Sequence, residues 1–178
     1  MKKKESGIIC NLDNIPVVDV NNGAFLLDFD DAQKEMLLRT LDKGESIRGF
    51  AYTGLPAPYM EMIVNTIIDN PFRSRTYPIS DLDLWKIVHT GYDEEQFQQA
   101  LDGLTLHLNL SDELEDVASY AASFLKFAVD GKRYGLDICS EIKNGATYNE
   151  VRDKVAAAAA EYKKKEEKKD KLNDFIFS

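Results

Sequence analysis

The chain has 178 residues, 22 lysines and arginines against 31 aspartates and glutamates, and a formal net charge of −9. This length suits one domain or two small ones, and a hydrophobic fraction of 44% is enough to bury a core. The acidic balance argues against a phosphate-binding groove as the main function, and no apolar run reaches the roughly 18 residues of a membrane-spanning helix.

Met1-Lys2-Lys3-Lys4-Glu5 opens like the basic region of a secretion signal. Gly7-Ile8-Ile9-Cys10 then breaks into polar Asn11 and Asp13 before an apolar stretch develops. Cys10 and Cys139 are too few for a disulfide framework or a four-ligand zinc site. A soluble, reduced, cytoplasmic protein is expected.

In chain order, Ile8–Cys10 and Val17–Val20 read as short strands. Asn21-Asn22-Gly23 reads as a hairpin turn into a partner strand over Phe25–Phe29, because Asn and Gly tolerate positive φ. Asp30 with Gln33 has the pattern of a capping box. It opens a helix over Asp31–Leu41 with Met36, Leu37, Leu38 and Leu41 toward a core, ended by Lys43-Gly44. Ile47–Tyr52 reads as another strand, and Gly54-Leu55-Pro56-Ala57-Pro58 as irregular. Tyr59–Ile68 suits a buried helix or a strand; the helix is favoured, with Asn70-Pro71 as its stop.

Ser80 or Asp81 caps a helix to about His89. Asp93, with Gln96 in the capping-box place, caps another over Glu94–Asp102. Thr105–Leu110 alternates apolar and polar residues and predicts a short strand or an extended link. Ser111 caps a longer helix to about Ala128, whose stripe includes Leu114, Val117, Ala121, Leu125 and Ala128. Asp130-Gly131-Lys132 reads as a turn and Tyr134–Cys139 as a strand. Thr147 and Glu150 form a Thr-x-x-Glu capping box and open the last helix, which runs to about Leu172. Its lysine- and glutamate-rich second half has almost no apolar face, so it projects into solvent. Phe175-Ile176-Phe177 is an apolar tip. The fold class expected is α+β: a small N-terminal sheet with packed helices, an acidic helical middle and a long C-terminal helix. The parts are 1–76 (α+β), 77–130 (acidic and helical, within the same or a second small domain) and 131–178 (hairpin and charged helix).

The charge is unevenly spread. Residues 77–130 hold 11 acidic side chains against two basic ones, Lys86 and Lys126, which equals the whole net charge of the chain. Part of this has a bland explanation, because acids are favoured in the first turns of helices. Asp81, Asp93, Glu94, Glu95, Asp112 and Glu113 all sit in or beside such turns. The near absence of compensating lysine and arginine is left unexplained by helix capping. A field of one sign attracts a partner of the other, and B-DNA itself carries one charge per roughly 1.7 Å of axis. A band formed by Asp81, Asp83, Asp93, Glu94, Glu95, Asp102, Asp112, Glu113, Glu115 and Asp116 could therefore occupy a basic nucleic-acid channel in place of DNA. Solubility alone is the competing explanation.

Catalytic patterns are sparse. Asp28 and Asp30 follow an apolar run and form an Asp-x-Asp pair of the kind that holds Mg²⁺. The Gly-Thr that follows in the haloacid-dehalogenase segment is Asp31-Ala32 here, so a strand end and a helix cap explain the pair better. A cysteine–histidine nucleophile would need His89 or His107 to meet Cys10 or Cys139, and nothing local supports it. No catalytic residue, metal ligand or cofactor is expected. Met60, Met62, Trp85 and Phe97 read as core, whereas Tyr52, Tyr59, Tyr77 and Tyr92 are of the type that also serves at interfaces. Lys163–Lys171 interleaves both signs, the pattern of a solvated helix face.

The order of several segments resembles the ArdA antirestriction proteins, acidic DNA mimics carried by mobile elements. The similar parts are Gly23-Ala24-Phe25-Leu26-Leu27-Asp28-Phe29 leading into Asp31–Leu41, then Gly49-Phe50-Ala51-Tyr52, Tyr77-Pro78-Ile79-Ser80-Asp81-Leu82-Asp83-Leu84, Asp93-Glu94-Glu95-Gln96-Phe97, and Ala100-Leu101. Ser111–Val117 matches a further acidic helix. The resemblance spans about residues 23–117 and leaves Tyr134–Ser178 without a counterpart. It implies a non-enzymatic inhibitor of a DNA-binding restriction enzyme, and an inhibitor of a CRISPR effector fits the same physics. The expected partner is a basic nucleic-acid-binding protein; direct DNA binding and membrane association are not expected, and self-association stays open. The competing class is a phage or plasmid structural or adaptor protein that assembles through its long C-terminal helix.

Overall fold

The computed structural model describes residues 24–70 and 79–176, with side chains described for 26–70 and 79–170. Among the described residues there is no strand, and the α+β expectation gives way to a mostly helical fold. The expected strands at Ile8–Cys10 and Val17–Val20, and the hairpin turn at Asn21-Asn22-Gly23, lie outside the described residues. The chain divides into two compact units, Met1–Phe97 and Gln98–Ser178.

In the first unit, Ala24–Asp28 forms a 3-10 turn where a strand was expected. Phe29 N–H donates to the Leu26 carbonyl at 3.2 Å, so the backbone bonds locally rather than across a ladder. Helix α1 (Asp31–Asp42) follows, opened by the expected capping box. Gln33 N–H donates to Asp30 Oδ1 at 2.8 Å, and Asp30 N–H donates to Gln33 Oε1 at 3.0 Å. Met36 and Leu37 face the core, whereas Leu38 is 46% exposed and falls on the other side.

Ile47–Tyr52 is also not a strand. Phe50 and Ala51 N–H both donate to the Ile47 carbonyl, at 3.1 and 2.8 Å, closing a turn. Ile47 and Phe50, three residues apart, are both buried, a spacing that suits a turn and not an alternating strand. Gly49 lets this turn lie against the helix that starts at Asp81: a Cβ there would meet the Asp81 carbonyl and Leu84 Cβ at 2.8 Å. Helix α2 (Ala57–Ile63) begins within the segment expected to be irregular, since Pro56 and Pro58 occupy positions at its start where a proline costs no hydrogen bond. It runs on as a π-helical turn, Val64–Ile68, and packs with it on α1. Helix α3 (Asp81–His89) is capped by Ser80 as expected. Helix α4 (Glu94–Thr105) opens on an Asp93–Gln96 capping box and carries the division between the units.

In the second unit, Thr105–Leu110 is a tight helix ending instead of a strand or extended link. His107 N–H donates to the Leu104 carbonyl at 3.0 Å and Leu108 N–H to the Gly103 carbonyl at 2.9 Å, with His107 in the left-handed region at φ 58°. This is the Schellman closure. The helix expected over Ser111–Ala128 is broken into α5 (Leu110–Glu113), a 3-10 turn at Val117–Ser119 and α6 (Ala122–Arg133). Leu114 is extended and Asp116 left-handed at φ 47°. Leu110, Leu114, Val117 and Leu125 are buried on either side of the breaks, whereas Ala121 of the expected stripe is exposed.

Asp130-Gly131-Lys132 lies inside α6 and is not a turn. Gly131 is there for close approach: a Cβ would sit 2.3 Å from Ile138 Cγ1. Tyr134–Cys139 is a turn leading into α7 (Ile138–Lys143), not a strand. Helix α8 (Tyr148–Ile176) opens on the Thr147–Glu150 box and has 29 residues, roughly 43 Å of helix. Val151 and Val155 anchor it to its unit, and every residue over Glu161–Asp170 is exposed.

Candidate functional site

The ten acids divide evenly between the units. Asp81, Asp83, Asp93, Glu94 and Glu95 sit at the N-termini of α3 and α4 in the first unit. Asp81 Oδ2 accepts from Ser46 Oγ at 2.9 Å, and Asp83 Oδ2 accepts from Ser80 Oγ at 2.7 Å. Asp93 is occupied by the cap, its Oδ1 accepting from Gln96 N–H at 2.8 Å. Glu94 and Glu95 are exposed and make no ion pair among the described residues.

Asp102, Asp112, Glu113, Glu115 and Asp116 belong to the second unit. Asp102 Oδ1 accepts from Gln98 Nε2 at 3.0 Å. Glu113 pairs with Lys143 at 3.4 Å. Glu115 and Asp116 are exposed on the irregular link between α5 and α6. Lys126, one of two bases in the acidic block, is held by Asp130 at 2.7 Å, where Arg133 joins it at 3.1 Å. It is therefore drawn away from the other carboxylates.

The groups weighed as chemistry have other roles. Asp30 serves as the α1 cap, and Asp28 is exposed at the end of the 3-10 turn. His89 ends α3, its Nδ1 donating to the Trp85 carbonyl at 2.9 Å. Its ring stacks 3.9 Å from Trp85 and 4.9 Å from Tyr52. His107 is exposed at the α4 ending. Cys139 is buried, and burial, with Glu113 and Asp137 nearby, pushes its thiol up to about 11, so it stays protonated and unreactive at neutral pH. Cys10 lies outside the described residues. No group of three histidines, cysteines or carboxylates placed to hold a metal occurs among the described residues. Asp69 is an exception to the isolation of charges: hydrogen bonding from Lys43, with Arg39 beside it, holds its carboxyl below the ordinary value.

One feature was legible only as residue type. Tyr52, Tyr59 and Tyr92, which the sequence left between core and interface, line one cavity of about 220 Å³ together with Phe97. Tyr77 lies outside the described residues. Phe97 was assigned to the core, and it is buried at the back of this cavity while its ring meets Tyr59 edge-on at 4.8 Å. The signal available was the tyrosine content of 52–92; the convergence was not readable, because it joins a turn and two helix starts.

No helix among the described residues is long and apolar enough to cross a membrane. Compared with protein-family models, with curated proteins and with solved structures, the chain matches none.

Proposed function

We propose that this protein is a non-enzymatic, cytoplasmic inhibitor that offers carboxylates in place of nucleic-acid phosphates to a basic channel on a defence enzyme. The observation that carries the reading is the exposure of Asp93, Glu94, Glu95, Asp112, Glu113, Glu115 and Asp116, of which Glu113 is paired with Lys143. Asp93-Glu94-Glu95 places three exposed carboxylates at the start of α4. The resemblance of residues 23–117 to ArdA proteins is the reason to name a restriction enzyme first and a CRISPR effector second.

The test is competition. The protein should displace labelled DNA from its target without binding DNA itself, and less well as salt rises, because exposed charges are screened over about 8 Å at physiological ionic strength. Changing the seven exposed acids to Asn or Gln in groups should weaken competition stepwise. Competition that ignores both salt and neutralisation would sink the proposal.

A second reading rests on the exposure of Glu161–Asp170 in α8. An adaptor would bind its partner through that helix, so truncating it would abolish binding while the neutralised acids would leave binding intact.

A further inference from the structure

The cavity of the first unit is lined by two aromatic groupings together with Leu55, Pro56, Ile87 and Val88. Tyr52 forms one grouping. Its ring is backed by His89 at 4.9 Å and by Trp85 at 6.5 Å between centroids. Gly54 makes room for it: a Cβ there would lie 2.5 Å from Tyr52 Cζ. Tyr59 and Phe97, edge to face at 4.8 Å, form the other, and Tyr92 contributes to the lining. No lysine, arginine or carboxylate is among the lining residues. At about 220 Å³ the space is smaller than a drug-sized pocket of about 300–1,000 Å³ and suits one side chain.

Acidic residues share a segment with this lining. Asp93 follows Tyr92 directly, and Glu94 lies one helical turn before Phe97 on α4, the spacing at which helix neighbours meet. Both are exposed, as is Glu95. Aromatic faces attract a cation through the ring quadrupole when it comes within about 6 Å. Exposed carboxylates on the same segment add long-range attraction for a cation and disfavour anionic ligands.

We propose that this cavity receives an arginine side chain of the basic partner. A guanidinium is chosen over an ammonium because it is planar, stacks on aromatic faces and is more weakly hydrated, so that it enters an aromatic slot at lower desolvation cost. The inference rests on the reading above that the partner is a basic protein, and it gives that partner an anchor: the acids draw it in, and the inserted arginine fixes its register.

The experiment uses a small probe, so that it can fail independently of the mimicry reading. The full chain, with ¹³C-labelled aromatic rings, is titrated with Nα-acetyl-arginine amide, with the isosteric but uncharged citrulline amide, and with the lysine amide. The arginine amide should give saturable shifts at Tyr52, Tyr59, Tyr92 and Phe97. The citrulline amide should bind about tenfold more weakly, and the lysine amide about threefold. Tyr52→Leu, at a 41% exposed position, should weaken arginine binding about three- to tenfold while far-UV circular dichroism is unchanged. Tyr59→Leu is the second variant, should the first perturb the turn. Shifts that do not saturate, that spare the four rings, or that are matched by citrulline or lysine would overturn the proposal. Arginine binding by a protein that does not compete with DNA would uphold the cavity and defeat the mimicry reading. Competition without arginine binding would do the reverse.

Discussion

His107 shows how one residue can be held against its own preference. Four helix endings, at Gly44, Gly91, Gly135 and Gly145, close with a residue at positive φ, and each is glycine; the α4 ending closes with His107 at φ 58°. A left-handed conformation costs an L-residue roughly 1–2 kcal/mol, and glycine there gives back part of the gain through its larger unfolded-state entropy, about 0.5–1 kcal/mol. His107→Gly should therefore raise stability by about 0.5–1 kcal/mol, read as a higher urea midpoint at unchanged slope. A lower midpoint would show that contacts of the His107 side chain outweigh the strain. Gln33 is the opposite case. It is buried, and its Nε2 donates to the Thr53 and Leu55 carbonyls at 3.1 and 2.7 Å, so a residue read only as half of a cap also ties down the loop before α2.

Helix α8 is the element whose stability and reach separate most clearly. Glu150 is held below its ordinary carboxyl value by the Thr147 backbone N–H and hydroxyl, as expected of a capping box. Val151 and Val155 are buried, and the last described aromatic contact is Tyr162 on Tyr134, at 5.6 Å between centroids. Beyond it the exposed Lys/Glu stretch buries nothing among the described side chains, and spacings such as Glu161–Lys165, 4.0 Å apart, are worth at most a few tenths of a kcal/mol. Truncation after Lys163 should then change the unfolding free energy by less than about 0.5 kcal/mol in chemical denaturation. A large loss would mean that the distal helix is packed on something, and would favour its use as an assembly element. A cut before Tyr162 would also remove its contact with Tyr134.

At the scale of the molecule, the net charge of −9 sets two effects against each other. Ion pairs such as Lys126–Asp130 at 2.7 Å weaken with salt, whereas repulsion within the acidic block is relieved by it. Exposed pairs are each worth only about 0–1 kcal/mol, and the acids of 77–130 far outnumber their bases. Raising salt from about 10 mM to about 150 mM shortens the screening length from about 30 Å to about 8 Å, and the melting temperature should rise. A fall would show that attraction dominates, and the carboxylates would then be better compensated than their exposure implies.

What could be read directly from the sequence was short in range. The caps at Asp30, Ser80, Asp93 and Thr147 each need only residues two or three positions away, so composition and spacing sufficed to place the starts of α1, α3, α4 and α8. The charge blocks were equally legible, because exposed carboxylates are tolerated wherever they fall. The strands assigned to Phe25–Phe29, Ile47–Tyr52 and Tyr134–Cys139 failed for the converse reason. A strand requires a neighbour, and apolar residues without one satisfy their backbone in local turns and bury their side chains against helices. The long helix over 111–128 failed because its apolar residues keep helical spacing across the break, so nothing in the pattern marks the extended Leu114 and left-handed Asp116 that interrupt it. Only the tertiary structure could bring Tyr52, Tyr59, Tyr92 and Phe97 to one cavity, since their meeting depends on how α2, α3 and α4 pack and not on any spacing within a single helix.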